Sequence, residues 1–163
     1  MEIRHAAPAD LPDLLALFDA ARRFMAQNGN PHQWGRRFPT KEMLEADISA
    51  QRSYICEDEG RLAAAFCFTT EEEPTYRVIR EGAWLDDAPY GVVHRIAAAE
   101  HGRGAVAFCL EWCLARCGNI RIDTHRDNQP MQRLLARLGY TFCGLIDLKN
   151  GRGERLAYQK RSR

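Results

Sequence analysis

Apolar residues first recur at helical spacing at Leu11, Leu14, Leu15, Phe18, Ala21 and Met25. This predicts an amphipathic helix that Asp10 can cap and that Asn28 and Gly29 stop. Glu2 to His5 ahead of it reads as a short strand. Asn28 to Pro39 shows no period and carries Trp34; Thr40 then reads as the cap of a second helix running to about Ala50. The pattern next turns to strands, Ser53 to Glu57 and Arg61 to Thr69, around Asp58, Glu59 and Gly60, a hairpin by its turn chemistry. Glu71 to Pro89 is long and weakly patterned, and such loops usually serve function.

Tyr90 to Ala98 is a valine-rich strand. A helix follows, with Val106, Cys109 and Cys113 on its buried face and Gly118 at its end. Ile120 to Thr124 is a short strand. Met131, Leu134, Leu135 and Leu138 mark a helix from Asn128 to Leu138, stopped by Gly139. Two last strands, Thr141 to Leu148 and Glu154 to Gln159, are joined by the turn Lys149, Asn150, Gly151. This order predicts a mixed α/β sheet with a central strand, helix, strand crossover.

Composition narrows the function classes. At 163 residues, 45% hydrophobic and 28% charged, the chain is expected to form one domain spanning residues 1–163. A formal net charge of +1 offers no global field for nucleic acid or an anionic membrane, so neither partner is expected. The first twelve residues lack an apolar core and a small-residue cleavage site, and no apolar run approaches the roughly 20 residues that cross a bilayer. A cytoplasmic protein is expected. The six cysteines include no Cys-x-x-Cys pair, and reduced, mostly buried thiols are the reading that follows.

The chemistry concentrates in Val92 to Leu110, VVHRIAAAEHGRGAVAFCL: a strand ending in small residues, a Gly-x-Gly turn, then at once a helix. The first-turn N–H groups of such a helix have no intrahelical acceptor and point at an anion with the helix dipole behind them. Read alone, Gly102 and Gly104 are equally a tight turn. Asp123 to Asp127 (Asp, Thr, His, Arg, Asp) looks like a ligand cluster by composition. No HExxH, EF-hand or Cys/His spacing supports it, and no metal is expected.

The strand-to-helix stretch, with Ile96, Ala97 and Ala98 before His101, Gly102, Arg103, Gly104, Ala105 and Val106, resembles the signature of the GNAT superfamily of acetyl-CoA-dependent N-acyltransferases. A second signature of that family, a strand, an Asn and a helix ending in Leu-Gly-Phe/Tyr, is similar to Ile120 to Thr124, Asn128, and Leu138, Gly139, Tyr140. The resemblance covers nearly the whole chain. It implies the GNAT fold, a central mixed sheet of about seven strands flanked by four helices. It also implies transfer of an acetyl group from acetyl-CoA to a primary amine of a small molecule or protein, by direct attack in a ternary complex.

On this resemblance Ile96, Ala97 and Ala98, with Gly102, Arg103, Gly104, Ala105, Val106 and Ala107, would bind the cofactor, and Asn128 would contact its pantetheine arm. His94 is the candidate base. Period-two alternation places Tyr90, Val92, His94, Ile96 and Ala98 on one face; the competing reading makes His94 a half-buried sheet histidine. Trp34, Tyr76 and Trp84 would wall the acceptor pocket. Three positions depart from the pattern. His101 stands where Arg or Gln is usual, Val106 where Gly or Ala is usual, and Leu135 where many relatives carry a proton-donating tyrosine. The last leaves Tyr140, Tyr90 or unassisted loss of the thiolate. Glu71, Glu72 and Glu73 read as a solvated face that can also draw a cationic amine. A non-catalytic CoA-binding or partner-binding module is the alternative function, and a homodimer the expected assembly if an exposed sheet edge or the aromatic loop is used.

Overall fold

A computed structural model describes residues 1–149 and 151–163. The expected elements form: β1 (Glu2–His5), α1 (Leu11–Gln27), α2 (Lys41–Ser49), β2 (Ser53–Asp58), β3 (Arg61–Thr69), β4 (Gly91–Ala98), α3 (Ala105–Cys117), β5 (Asn119–Thr124), α4 (Gln129–Arg137), β6 (Thr141–Leu148) and β7 (Gly153–Arg161). Asn150, expected in the last turn, lies outside the described residues. The Glu71 to Pro89 loop holds one short 3-10 turn, Pro74–Tyr76, and a bridge from Arg80 to Leu145.

Local chemistry explains most boundaries. The Thr40 hydroxyl accepts the Met43 N–H at 3.2 Å and caps α2. Asn128 does the same for α4 through Met131 N, also at 3.2 Å. Asp10 departs from its expected part: its carboxylate accepts the Ala7 N–H and pairs with Arg4, so α1 starts without a side-chain cap.

The seven strands run in the order β1-β2-β3-β4-β5-β7-β6, antiparallel except for the parallel pair β4 and β5. One face buries Ile96, Cys109, Leu110, Ile122 and Leu135 under α3 and α4. The other buries Leu14, Phe18, Leu44, Ile55 and Ala97 under α1 and α2, with a smaller group around Tyr76, Val92, Ile146 and Ala157 beside it. All six cysteines are free and five are buried, and burial pushes the Cys67 thiol up to about 11.

The feature that shapes the site is where pairing stops. The β4–β5 ladder holds only Gly91 with Ile120 and Val92 with Arg121. At Gly91 a Cβ would come within 2.6 Å of the Phe68 ring and 2.8 Å of Cys117 Sγ, so only glycine lets the strands meet there. Beyond Val92 they separate. On the other side of β4, Cys67 pairs with His94 but Ala65 pairs with Ala97, so β4 carries an extra residue, and Arg95 takes φ 51° to accommodate it. The bulge overturns the expected alternation. Val93 and Ile96 both face α3, while Val92 lies on the opposite side, so His94 does not share a face with Ile96 and Ala98. Period two holds only while each residue on a strand opposes one on its neighbour.

Candidate active site

The separated strands open a cleft of about 1020 Å³ that is lined from both faces of the sheet. This volume lies at the upper end of small-molecule sites, about 300–1,000 Å³, and suits a long ligand. On the α3 and α4 side its walls include Ile96, Val106, Leu134 and Thr124; on the other side they include His94, Glu73, Asp123, Trp34 and Phe38.

At one mouth stands the α3 N-terminus. Gly102 and Gly104 adopt φ +81° and +78°, in the left-handed region, and a Cβ at either would meet nothing within 4 Å. Their glycines serve the turn rather than the space around it. Phe108 N donates to Gly104 O, which leaves the N–H groups of Ala105, Val106 and Ala107 without an acceptor inside the helix. Arg133 and Arg137 of α4 line the same cleft and bring two cations to it. His101 stacks on Phe24 at 3.5 Å between ring centroids. The Arg103 side chain is exposed and lies 3.8 Å from Glu100, so the expectation for this residue reduces to its backbone. Asn128 uses its oxygen to cap α4, and its nitrogen donates to Gln33 Oε1 at 2.8 Å.

Inside, His94 Nε2 lies 3.0 Å from Glu73 Oε2. The other oxygen of Glu73 accepts from Thr75 N at 3.3 Å and Thr75 Oγ1 at 2.9 Å. These bonds, His94 first, hold the Glu73 carboxyl down to about 2 against the cost of its burial. The carboxylate is therefore ionised, and its bond to Nε2 orients the imidazole. Tyr76 Oη donates to Asp123 Oδ2 at 2.6 Å. Burial, then Asp123, pushes the Tyr76 phenol well above its usual range, so it stays protonated. Arg95 pairs with Asp47 of α2 at 2.7 Å, which ties the bulge to the helix layer.

Several expected residues are placed elsewhere. Trp34 lines the cleft, but Tyr76 is 1% exposed and packs in its own small core, with Trp84 Nε1 donating to its carbonyl. Neither forms a wall, because the loop they belong to folds inward onto β6. Tyr140 and Tyr90 do not line the cleft: Tyr140 is buried under α3, and Tyr90 Oη accepts from Glu73 N. Leu135 is fully buried and offers no proton. Among the described residues no group of three or more His, Cys, Asp or Glu is placed to hold a metal ion. Glu73 was missed because three acids in a row look solvated, and only the 3-10 turn behind it directs the third inward.

The sequence profile described as the acetyltransferase (GNAT) family matches residues 14–140. Among solved structures, a GNAT-family acetyltransferase from Streptococcus agalactiae is 32% identical with TM-score 0.91, and the match covers 99% of this chain and 95% of that one. YncA of Salmonella typhimurium, solved with its cofactor acetyl-CoA, is 18% identical with TM-score 0.65, covering 98% and 92%. The GNAT-like decarboxylase GphF, in complex with isobutyryl-CoA, is 16% identical with TM-score 0.68, covering both chains in full. The last two likenesses carry the fold alone. No curated protein sequence matches the chain.

Proposed function

Because the chain belongs to the acetyltransferase (GNAT) family, we propose that it moves an acetyl group from acetyl-CoA to a primary amine within a ternary complex. The observation that carries this reading is the His94–Glu73 pair, set where β4 and β5 part. A primary amine is mostly protonated at neutral pH and attacks a thioester only after losing that proton. His94 takes it, directly or through a water, and Glu73 steadies the imidazolium that results. The amine nitrogen bonds to the acetyl carbon, the C–S bond breaks, and CoA leaves as a thiolate that picks up a proton.

The donor's placement is part of the same proposal. The N–H groups of Ala105, Val106 and Ala107 receive the pyrophosphate, with Arg133 and Arg137 beside it. Backbone N–H groups around Ile96 and Ala97 hold the thioester carbonyl, and Ile96 falls within the bulge where the β3 ladder is broken. Thr124 supports a ligand here as well. Its hydroxyl is buried on the cleft wall with no partner, an arrangement that a bound molecule would relieve. With Leu135 in the core and no phenol on the cleft, the thiolate departs unassisted, as a thiol of pKa about 8.5 allows.

The non-catalytic alternative draws on that same lack of a phenol. One experiment separates the two: free thiol release from acetyl-CoA in the presence of a panel of small amines. Amine-dependent release with a matching acetylated product supports the transferase. Binding of acetyl-CoA without release for any amine supports the binding module.

A further inference from the structure

Among the described residues, two of the cations on the cleft that the transfer step does not use have no acid paired to them. Arg155, on β7, is 3% exposed, and Arg152, just before β7, lays its guanidinium 3.7 Å above the Phe38 ring. Both line the cleft. Arg155 shares a strand face with Ala157, which pairs with Asp123, so it stands on the His94 side of the sheet and not on the α3 and α4 side.

Their partners are neutral. Arg155 Nη1 donates to the carbonyls of Arg152 at 3.1 Å and Glu154 at 2.9 Å, and its Nη2 to the carbonyl of Gln33 at 2.9 Å. Arg152 Nη2 reaches the same Gln33 carbonyl at 3.4 Å. Among the described residues neither guanidinium has an ion pair within 4.0 Å. The nearby acids are committed elsewhere: Glu154 turns to Arg80 and Arg126, and Asp147 to Arg80. Burial lowers the pKa of both guanidinium groups, and Asp123, itself bonded to Tyr76, is the one acid that opposes it. A desolvated cation without an anion is costly, and Arg155 is in that position, with the more exposed guanidinium of Arg152 beside it.

We infer that the acceptor is a small amine that also carries a carboxylate, as a free amino acid does, with the carboxylate held by Arg155 and Arg152 and the amine presented to His94. This rests on the transferase reading and names its substrate class. A guanidinium fork matches a carboxylate in plane, which fixes the distance of the amine from the wall as well as the charge of the ligand. Glu73, bonded to His94, supplies a negative charge on the side where the ammonium would sit.

The test compares the twenty common amino acids with their carboxamides, in kcat/KM with acetyl-CoA and in thermal stabilisation of the protein saturated with CoA. The best amino acid is expected to exceed its carboxamide about 10- to 100-fold in kcat/KM, the worth of a charge-assisted hydrogen bond or two. Arg152→Gln, at an exposed residue, should bring that ratio toward one. Arg155→Lys, which keeps the charge and loses the fork, should lower it less. Carboxamides accepted as well as acids, or a ratio unmoved in a folded Arg152→Gln protein, overturns the inference while leaving the transferase intact. If no amine is acetylated, the transferase reading fails and stabilisation decides: a shift with acids and not carboxamides supports the carboxylate site, and equal or absent shifts overturn it.

Discussion

Glu73 and His94 are 21 residues apart in the chain, yet Oε2 of one lies 3.0 Å from Nε2 of the other. Two features bring them together. The Pro74–Tyr76 turn folds Glu73 back over β4, and the bulge at Arg95 leaves His94 on the face it covers. The pair is only about a quarter exposed, so its electrostatics are less screened than those of a surface pair.

His94→Gln should lower kcat by roughly 100- to 10,000-fold, the usual worth of a general base. The KM for acetyl-CoA should move little, since the residue lies on the acceptor side. Stabilisation by acetyl-CoA should be the same in variant and parent. An unchanged kcat would remove His94 from the mechanism.

Glu73→Gln should act on stability as well as rate. A carboxyl held at about 2 in the folded protein, against an ordinary value near 4.5, contributes stability that is complete above about 4.5 and is lost as pH falls toward 2. At pH 7 the variant should therefore unfold at lower urea than the parent. The gap should close as the pH is lowered from 5 toward 3.

The Asp47–Arg95 pair anchors the bulge, and its side chains are 6% and 15% exposed. Asp47→Ala leaves a mostly buried guanidinium without its anion and should cost on the order of 3 kcal/mol. The same change frees a residue held at φ 51°, so kcat should fall further than the loss of folded protein accounts for. Activity per folded molecule, corrected by circular dichroism, reads this.

Gly104→Ala tests the turn at the α3 N-terminus. No atom lies within 4 Å of the added methyl, so the cost comes from the positive φ alone, about 1–2 kcal/mol. A fall in Tm of about 2–8 °C is expected for a domain of this size. An unchanged Tm would mean that the turn tolerates a side chain.

Acetyl-CoA at about 100 times its Kd should stabilise the protein by roughly 2.7 kcal/mol, a Tm rise of about 5–11 °C. Free CoA should do so as well and ATP should not. Arg133→Gln with Arg137→Gln should reduce the rise. No shift with either CoA species would remove the pyrophosphate site at Ala105 to Ala107.

The order of elements was legible because periodicity and turn chemistry are local: Leu11 to Met25 repeats at helical spacing whatever it packs against, and Gly102, Gly104 and Gly118 punctuate helix ends through φ alone. The strand, Gly-x-Gly and helix stretch likewise announced where an anion would bind, because its donors are backbone groups that any sequence of that shape supplies. Tertiary structure decided what depends on partners distant in the chain. Alternation placed His94 beside Ile96, and one extra residue in β4, visible only in its register with Cys67 and Ala65, put them on opposite faces. Glu73 looked like its solvated neighbours until a 3-10 turn aimed it at His94, and Arg155 looked like any strand arginine until folding buried it without an anion. A residue's charge and size are written in the sequence, whereas its desolvation, its register and the company it keeps are properties of the packed chain.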